Sequence, residues 1–180
     1  MERGAFPRIE RTFDNFVVAR LNVFVEGAWN NPDTPGQGLL IDIMPTVAGG
    51  NPLLFLAWFS FDHLPTIQKA ASDSNGTMSV GDSTQRWLTA FGTYVSGSSK
   101  VNLSFENTFG GGFNTSIPMP TQDSTYGAGT LTVNDCNDLT LEFDLPSGPG
   151  SGNVELKRSA VDAVKLELCN DLGLMAGIIK

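Results

Sequence analysis

The residues that could carry out chemistry in this sequence are few, and their spacing matches no catalytic motif. The single histidine, His63, follows Asp62 in the stretch FDHLP. Two neighbours in a loop rarely form the histidine–carboxylate pair of a hydrolytic triad, and no Gly-x-Ser-x-Gly elbow occurs. The glycine run 110–112 is interpreted as a turn, because the residues of a phosphate-binding loop do not follow it. We therefore predict no catalytic residues and place His63 in a surface loop.

Metal ligands are equally sparse. One histidine and two cysteines are too few for a zinc site. Asp135, Asn137 and Asp138 could bind calcium, but acids and amides in so short a segment are more typical of an Asx turn. The sequence therefore predicts neither a metal nor another cofactor.

Paired carboxylates of the kind that cleave glycosidic bonds would need to face one cleft. Six acids in the predicted strands alternate with apolar residues and are therefore expected to face solvent: Glu26, Asp42, Glu106, Glu142, Asp144 and Glu155. The other acids considered lie in predicted loops. A hydrolase with loop-borne carboxylates thus remains an alternative function, but it is not the one we favour.

Aromatic residues suggest ligand binding more strongly. Trp58 lies in the apolar run 52–61, and Trp87 opens a strand beside the polar segment 62–84. Exposed tryptophans stack on sugar rings, although buried strands also carry tryptophan, so a core position is the alternative for both. We take four residues as candidate ligand-binding residues: Trp58, Trp87, His63 and Phe113.

The elements that must position these residues are short strands separated by turns. The 180 residues include 20 glycines and 10 prolines, and several apolar runs alternate with polar residues. No helical crossover of the βαβ kind is visible, so the sheet should be antiparallel. We predict an all-β fold, a meander of about eight strands closed into a β-barrel, with a two-sheet sandwich as the alternative.

A single domain is expected over residues 22–180, preceded by an N-terminal arm over residues 1–21 and ending in a partly helical tail from Ser159. Two loops rich in polar residues, glycine or proline are predicted at 62–84 and 108–125.

Closure of the barrel gives the first tryptophan a structural role. Trp29 has the same parity as Val25 in the first strand, and Arg158 has the same parity as Leu156 in the last strand. First and last strands are neighbours in a closed meander, so the guanidinium can stack on the indole and seal one end; the alternative is that Arg158 faces solvent. The opposite mouth, rimmed by both predicted loops, is the candidate ligand site.

Charge and hydropathy limit the partners. Eleven basic and 19 acidic residues give a net charge of −8, which repels phosphate backbones, so nucleic acid is not expected as a partner. No apolar run reaches the roughly 18 residues that span a membrane. The run 52–61 is apolar on both faces, so the N-terminal arm or a second copy could cover it, and a homo-oligomer formed through the arm and this strand is possible.

Several motifs follow one another along the chain: GAWNNPDTPGQGLLIDIMP, LFLAWFSFD, RWLTAFGTY, GGGF, GTLTVNDC, SGNVELKR and a late LC. Together they resemble an uncharacterised bacterial secreted domain. The Gly-x-Trp opening with a basic end to the last strand is also distantly similar to avidin-like and lipocalin-like barrels. Neither resemblance implies an established activity or ligand residues.

The bacterial domain usually follows a secretion leader, although none is visible in this numbering. The resemblance therefore implies a periplasmic or extracellular location and a Cys136–Cys169 bridge. Spacing alone leaves a bridge and two free thiols equally open. We predict an exported, non-catalytic module that binds a saccharide or a small apolar molecule. The first alternative is a structural, self-assembling surface protein.

Overall fold

The computed structural model describes residues 24–44, 50–61, 85–95 and 97–160, together with Ala163, Leu166, Glu167 and Cys169. The regular elements in this part of the chain are eight strands. They are β1 (Gly27–Asn30), β2 (Gly38–Met44), β3 (Leu53–Phe61), β4 (Gln85–Thr93), β5 (Lys100–Gly112), β6 (Thr115–Asp135), β7 (Asp138–Leu145) and β8 (Gly150–Arg158). The predicted all-β class is confirmed.

The strands follow one another around a single closed sheet. Each strand pairs antiparallel with the next in sequence, and β1 pairs with β8, so that the ring runs from β1 to β8 without a crossover. The predicted antiparallel meander and the pairing of first with last strand are therefore confirmed. The two-sheet alternative is wrong, because the eight strands form one ring.

Alternation along each strand divides the interior from the solvent. Leu39, Ile41 and Ile43 of β2 are buried while the residues between them are exposed, and Leu139 and Leu141 of β7 are buried on either side of the half-buried Thr140. Among the described residues, no polar or charged side chain is buried. The prediction that the strand acids lie outside the core is confirmed for the six acids named above.

Close packing within the ring requires glycine at particular strand positions. A Cβ at Gly92 would lie 2.1 Å from the Asn102 carbonyl oxygen, and one at Gly129 would lie 2.6 Å from the Glu142 carbonyl oxygen. Both distances are shorter than van der Waals contact allows. These glycines let neighbouring strands approach where a side chain would force them apart.

The segment predicted as a loop over 108–125 is instead a hairpin. β5 continues to Gly112 and β6 begins at Thr115, so only Phe113 and Asn114 form the turn. Asn114 adopts φ 51°, a left-handed conformation that asparagine tolerates better than most residues. Cross-strand pairing thus outweighs the weak strand propensity of the glycines and prolines in this segment.

Three other predicted elements lie wholly or largely outside the described residues. They are the N-terminal arm over 1–21, the polar segment over 62–84 and most of the tail after Ala160. In the tail, the four described residues have helical backbone conformation. In the portion of the chain that the structure describes, no helix is long and apolar enough to cross a membrane.

The ring has two distinct ends. The closed end is where β8 finishes at Arg158, β6 finishes at Asp135 and β5 begins at Lys100. The open end carries the connections 31–37, 113–114 and 146–149, and β3 ends and β4 begins there, at Phe61 and Gln85.

Candidate functional site

A cavity of about 580 Å³ lies at the open end of the ring. Such a volume is typical of sites that bind small molecules. Its apolar wall includes Trp58, Leu88, Phe143 and Leu145, and its polar lining includes Gln37, Ser60, Asn107 and Asn153. The mouth predicted opposite the Trp29–Arg158 end therefore does contain a cavity.

The aromatic part of the wall comes from β3 and β7. Trp58 alternates with the exposed Phe59 and points inward, where it is only 9% exposed. Its indole meets the Phe143 ring edge-on, with 5.2 Å between the ring centroids. A Cβ at Gly152 of β8 would lie 2.7 Å from the Phe143 ring, so the glycine leaves room for this side chain. The three residues together fix one apolar side of the cavity.

The cavity is open because the first strand is short. β1 has four residues, and its pairing with β8 comprises only Trp29 with Arg158 and Asn30 with Lys157. Beyond that point β8 continues toward Gly150 with no second paired strand among the described elements. Gln37 and Ser60 on one side and Asn153 and Val154 on the other therefore line an unsealed part of the wall.

The polar groups among the described lining residues of the cavity include no carboxylate. Ser60 Oγ donates a hydrogen bond to Gln37 Oε1 at 2.6 Å, which ties β3 to the loop before β2. Arg86 is the only charged side chain among the lining residues that the structure describes. The cavity can offer amide, hydroxyl and guanidinium groups to a ligand. It lacks the paired acids of a glycosidase in its described lining, so the geometry gives the hydrolase alternative no support.

A register shift between β5 and β6 places a further residue at the mouth. Between the pairs Phe105–Gly127 and Asn107–Asp123, β6 uses four steps where β5 uses two, so β6 is bulged around Tyr126. Both Asn107 and Tyr126 line the cavity. A bulge reorients side chains relative to simple alternation, which explains why Tyr126 faces the site.

At the closed end, Arg158 makes the contact that its parity predicts. Its guanidinium carbon lies 4.3 Å from the centroid of the Trp29 ring, and the indole is 1% exposed. The guanidinium also donates to the carbonyl oxygens of Cys136 at 2.9 Å and Glu26 at 3.3 Å, and to that of Phe24. The predicted stacking is thus confirmed, and three backbone carbonyls hold the stacked group in place.

A disulfide joins the same end of the ring to the tail. Cys136 and Cys169 are bonded, which settles the alternative that spacing left open. Cys136 lies in the β6–β7 turn, and the Asn137 amide donates to Asp135 Oδ1 at 2.7 Å in the predicted Asx turn. Within the described residues no three histidine, cysteine or acidic side chains are grouped as metal ligands.

Charged groups at the closed end stabilise its outer surface. Lys157 Nζ donates to Asp138 Oδ2 at 2.8 Å, and this hydrogen bond is the main reason why the pKa of Asp138 is lowered. The same bond raises the pKa of Lys157. Inside the ring, burial, followed by the nearby charge of Glu26, raises the pKa of Tyr94. None of these groups lines the cavity, so they belong to the scaffold.

The four candidate ligand-binding residues are not brought together. Trp58 lines the cavity, but Trp87 is 52% exposed on the outer surface, beside its cross-strand partner Phe59. Phe113 occupies the hairpin turn. His63 lies outside the described residues. Trp58 is therefore the member of this set for which the geometry offers a place in the cavity.

Sequence reasoning missed several lining residues. Phe143 and Leu145 share the parity of the buried Leu139 and Leu141, so alternation already pointed them inward. Gln37 lies in the loop 31–37, outside any strand, so alternation does not predict the direction of its side chain. Comparisons of the chain with protein-family models, curated proteins and solved structures found no significant match.

Proposed function

We propose that this protein is an exported, non-catalytic binding module whose β-barrel holds a small molecule in the cavity at its open end. The observation that supports this proposal most directly is the cavity itself, about 580 Å³ in volume and open to solvent between the first and last strands. An open cavity of this size with an aromatic wall has the usual form of a small-molecule site.

The lining indicates the chemistry of the ligand. The Trp58 and Phe143 rings provide an apolar wall, and Gln37, Ser60 and Asn107 provide hydrogen-bonding groups. A ligand with one apolar face and a polar edge would satisfy both. A saccharide ring has this character, since its C–H face packs on aromatic rings while its hydroxyls accept and donate hydrogen bonds; a small apolar molecule with one polar group is the other possibility.

Export is proposed on the basis of the Cys136–Cys169 disulfide. Such bonds persist in oxidising compartments and are rare in the cytosol of most organisms. A periplasmic or extracellular location would therefore suit a protein that depends on this bond. Fractionation of the producing cells, with the oxidised and reduced forms separated by thiol labelling, tests the location.

Ligand binding can be tested with two classes of probe. A panel of mono- and disaccharides is measured by calorimetry, and N-phenyl-1-naphthylamine, a neutral fluorophore that brightens in apolar surroundings, is measured by fluorescence. At least one probe should bind, and Trp58→Phe should weaken that binding by about tenfold or more, because the smaller ring removes part of the apolar wall.

Trp87→Phe is the matched control, since it makes the same substitution on the outer surface one strand away. It should leave the affinity unchanged. Failure of both probe classes to bind would refute a ligand-binding function. Sensitivity to Trp87→Phe without sensitivity to Trp58→Phe would move the site from the cavity to the outer surface.

A second candidate function is assembly with further copies of the chain. It is favoured by apolar side chains on the outer face of β2, β3 and β4, where Leu40, Phe59 and Trp87 are all exposed. Light scattering over a range of protein concentrations measures the mass. A dimer or larger species that Phe59→Ser together with Trp87→Ser dissociates would support this function, and a monomer throughout would remove it.

A further inference from the structure

We propose that the β5–β6 hairpin inserts its tip into the interfacial layer of a lipid membrane made of uncharged, zwitterionic lipids. The term tip hairpin is used here for residues 108–122. Pairing of β4 with β5 ends at Asn107, and pairing of β6 with β7 ends at Ala128, whereas β5 and β6 stay paired out to Gly112 and Thr115. The tip hairpin therefore continues past the last residues that pair with β4 and β7.

Large apolar side chains cover this extension. Phe113, Ile117 and Met119 are 84%, 78% and 82% exposed, more than any other large apolar residue that the structure describes, and Phe109 is 53% exposed. Phe109 pairs with Thr121, whereas Ile117 and Met119 lie within the register shift between the pairs Gly110–Pro120 and Gly112–Thr115. Together with Phe113 in the turn, these exposed apolar residues are grouped toward the end of the hairpin. Exposed apolar clusters of this kind mark surfaces that bind a partner or a membrane.

The tip hairpin also lacks charge. Its 15 residues include no aspartate, glutamate, lysine, arginine or histidine, although the whole chain carries a net charge of −8. The nearest charged residues, Glu106 and Asp123, lie at its base, where Glu106 accepts a hydrogen bond from Gln122 at 2.7 Å. No charge would have to leave water on insertion, which removes the largest energetic barrier.

The backbone of β6 near the tip also has few N–H groups that would lose a hydrogen bond on insertion. Pro118 and Pro120 have no N–H, and the Ile117 N–H donates to Thr115 Oγ1 at 3.3 Å. Few backbone N–H donors along 117–120 therefore depend on water for a hydrogen bond. The same prolines oppose strand addition by a second copy, because a proline cannot donate to a neighbouring strand. These features favour a lipid surface over another copy of the chain.

Zwitterionic lipid is favoured over anionic lipid by charge. The tip hairpin offers no lysine or arginine to attract anionic headgroups, and the net charge of −8 would repel them. Binding should therefore depend on apolar contact and be insensitive to salt.

Flotation of the full chain with phosphatidylcholine vesicles tests the proposal. The parent protein should float with the vesicles at both low and high salt, and adding phosphatidylserine should reduce its binding. The variant with Phe113→Ser, Ile117→Ser and Met119→Ser should have a partition coefficient about a hundredfold lower. The reason is that it lacks the three apolar side chains that the membrane would partly bury. Phe113→Ser alone should lose about fivefold.

Val95→Ser is the matched control, because Val95 is 66% exposed in a loop at the closed end and should not touch the membrane. Unchanged urea unfolding of the variants would show that they fold. Failure of the parent protein to float, or equal flotation of the parent and the triple variant, would overturn the proposal. The proposal would also be overturned if the parent protein formed a dimer that does not float and the triple variant were a monomer. The tip would then bind a second copy of the chain.

Discussion

Replacement of Arg158 by methionine is expected to destabilise the protein strongly, because this side chain joins the two ends of the meander. Its guanidinium stacks on Trp29 at 4.3 Å and donates to the carbonyl oxygens of Phe24, Glu26 and Cys136. Methionine keeps much of the apolar stem but leaves three carbonyls without this donor. The strands β1 and β8 share only two register pairs, so few other contacts can compensate.

The magnitude follows from the contacts that are lost. A hydrogen bond from a charged donor contributes about 1.5–3 kcal/mol, and a desolvated cation–π contact about 2 kcal/mol. Arg158 is partly exposed, so water can reach some of the freed carbonyls, and the individual terms are not additive. We expect a loss of about 3–5 kcal/mol in the free energy of unfolding. That is a large part of the roughly 5–15 kcal/mol that stabilises most domains.

Urea unfolding followed by tryptophan fluorescence measures this loss. Arg158→Lys should fall between the parent and Arg158→Met, because lysine keeps the charge but not the planar stacking group. Lys157→Met, at the adjacent position, should lose far less stability than Arg158→Met, because its ion pair with Asp138 is open to solvent. Hydrogen exchange adds a local readout, since the Ser159 amide that donates to the Ala28 carbonyl at 3.0 Å should lose protection. A loss below about 1 kcal/mol for Arg158→Met would refute this account of closure.

Two further predictions concern the same end of the ring. Replacing Cys136 and Cys169 together by serine should lower the free energy of unfolding by about 4 kcal/mol, since the bond spans a sequence separation of 33. Urea titrations with and without reductant measure this, and a parent protein that is indifferent to reductant would contradict it. Asp138→Asn should make the free energy of unfolding fall less steeply at acid pH. The pKa of Asp138 is lowered from 3.8, chiefly by its hydrogen bond to Lys157. The stability that Asp138 contributes is therefore present above about pH 4 and is lost as the pH falls through the lowered pKa. Parallel stability curves for parent and variant between about pH 5 and 2 would exclude this role.

Alternation in the sequence predicted the parts of the fold in which one face is apolar and the other polar. In β2, Leu39 and Ile41 point inward and Asp42 points outward, as their spacing indicates. The same rule, applied at the ends of β1 and β8, placed Trp29 beside Arg158. Closure could be predicted because a closed meander leaves no unpaired edge strand and places the first strand beside the last.

Alternation failed where it was ambiguous or interrupted. β3 is apolar on both faces, so the sequence could not decide whether Trp58 or its neighbours pointed inward. The tip hairpin looked like a loop because strand pairing depends on two segments at once and not on the glycines and prolines of either. Tyr126 reaches the cavity through a bulge, and the position of a bulge depends on the register of two paired strands.

The structure separates stability from the proposed binding, and this separation can be measured. Arg158, Trp29 and the disulfide all stabilise the closed end, whereas Trp58 lines the cavity near the unsealed part of the wall. Because the closed end already joins β1 to β8, the open end does not need full pairing to keep the ring intact. Arg158→Lys should therefore lower stability while leaving ligand affinity unchanged in the protein that remains folded. Trp58→Phe should weaken binding at a smaller cost in stability, since the substitution retains an aromatic ring. Equal loss of binding in both variants would mean that the two ends are coupled and that the cavity depends on closure of the whole ring.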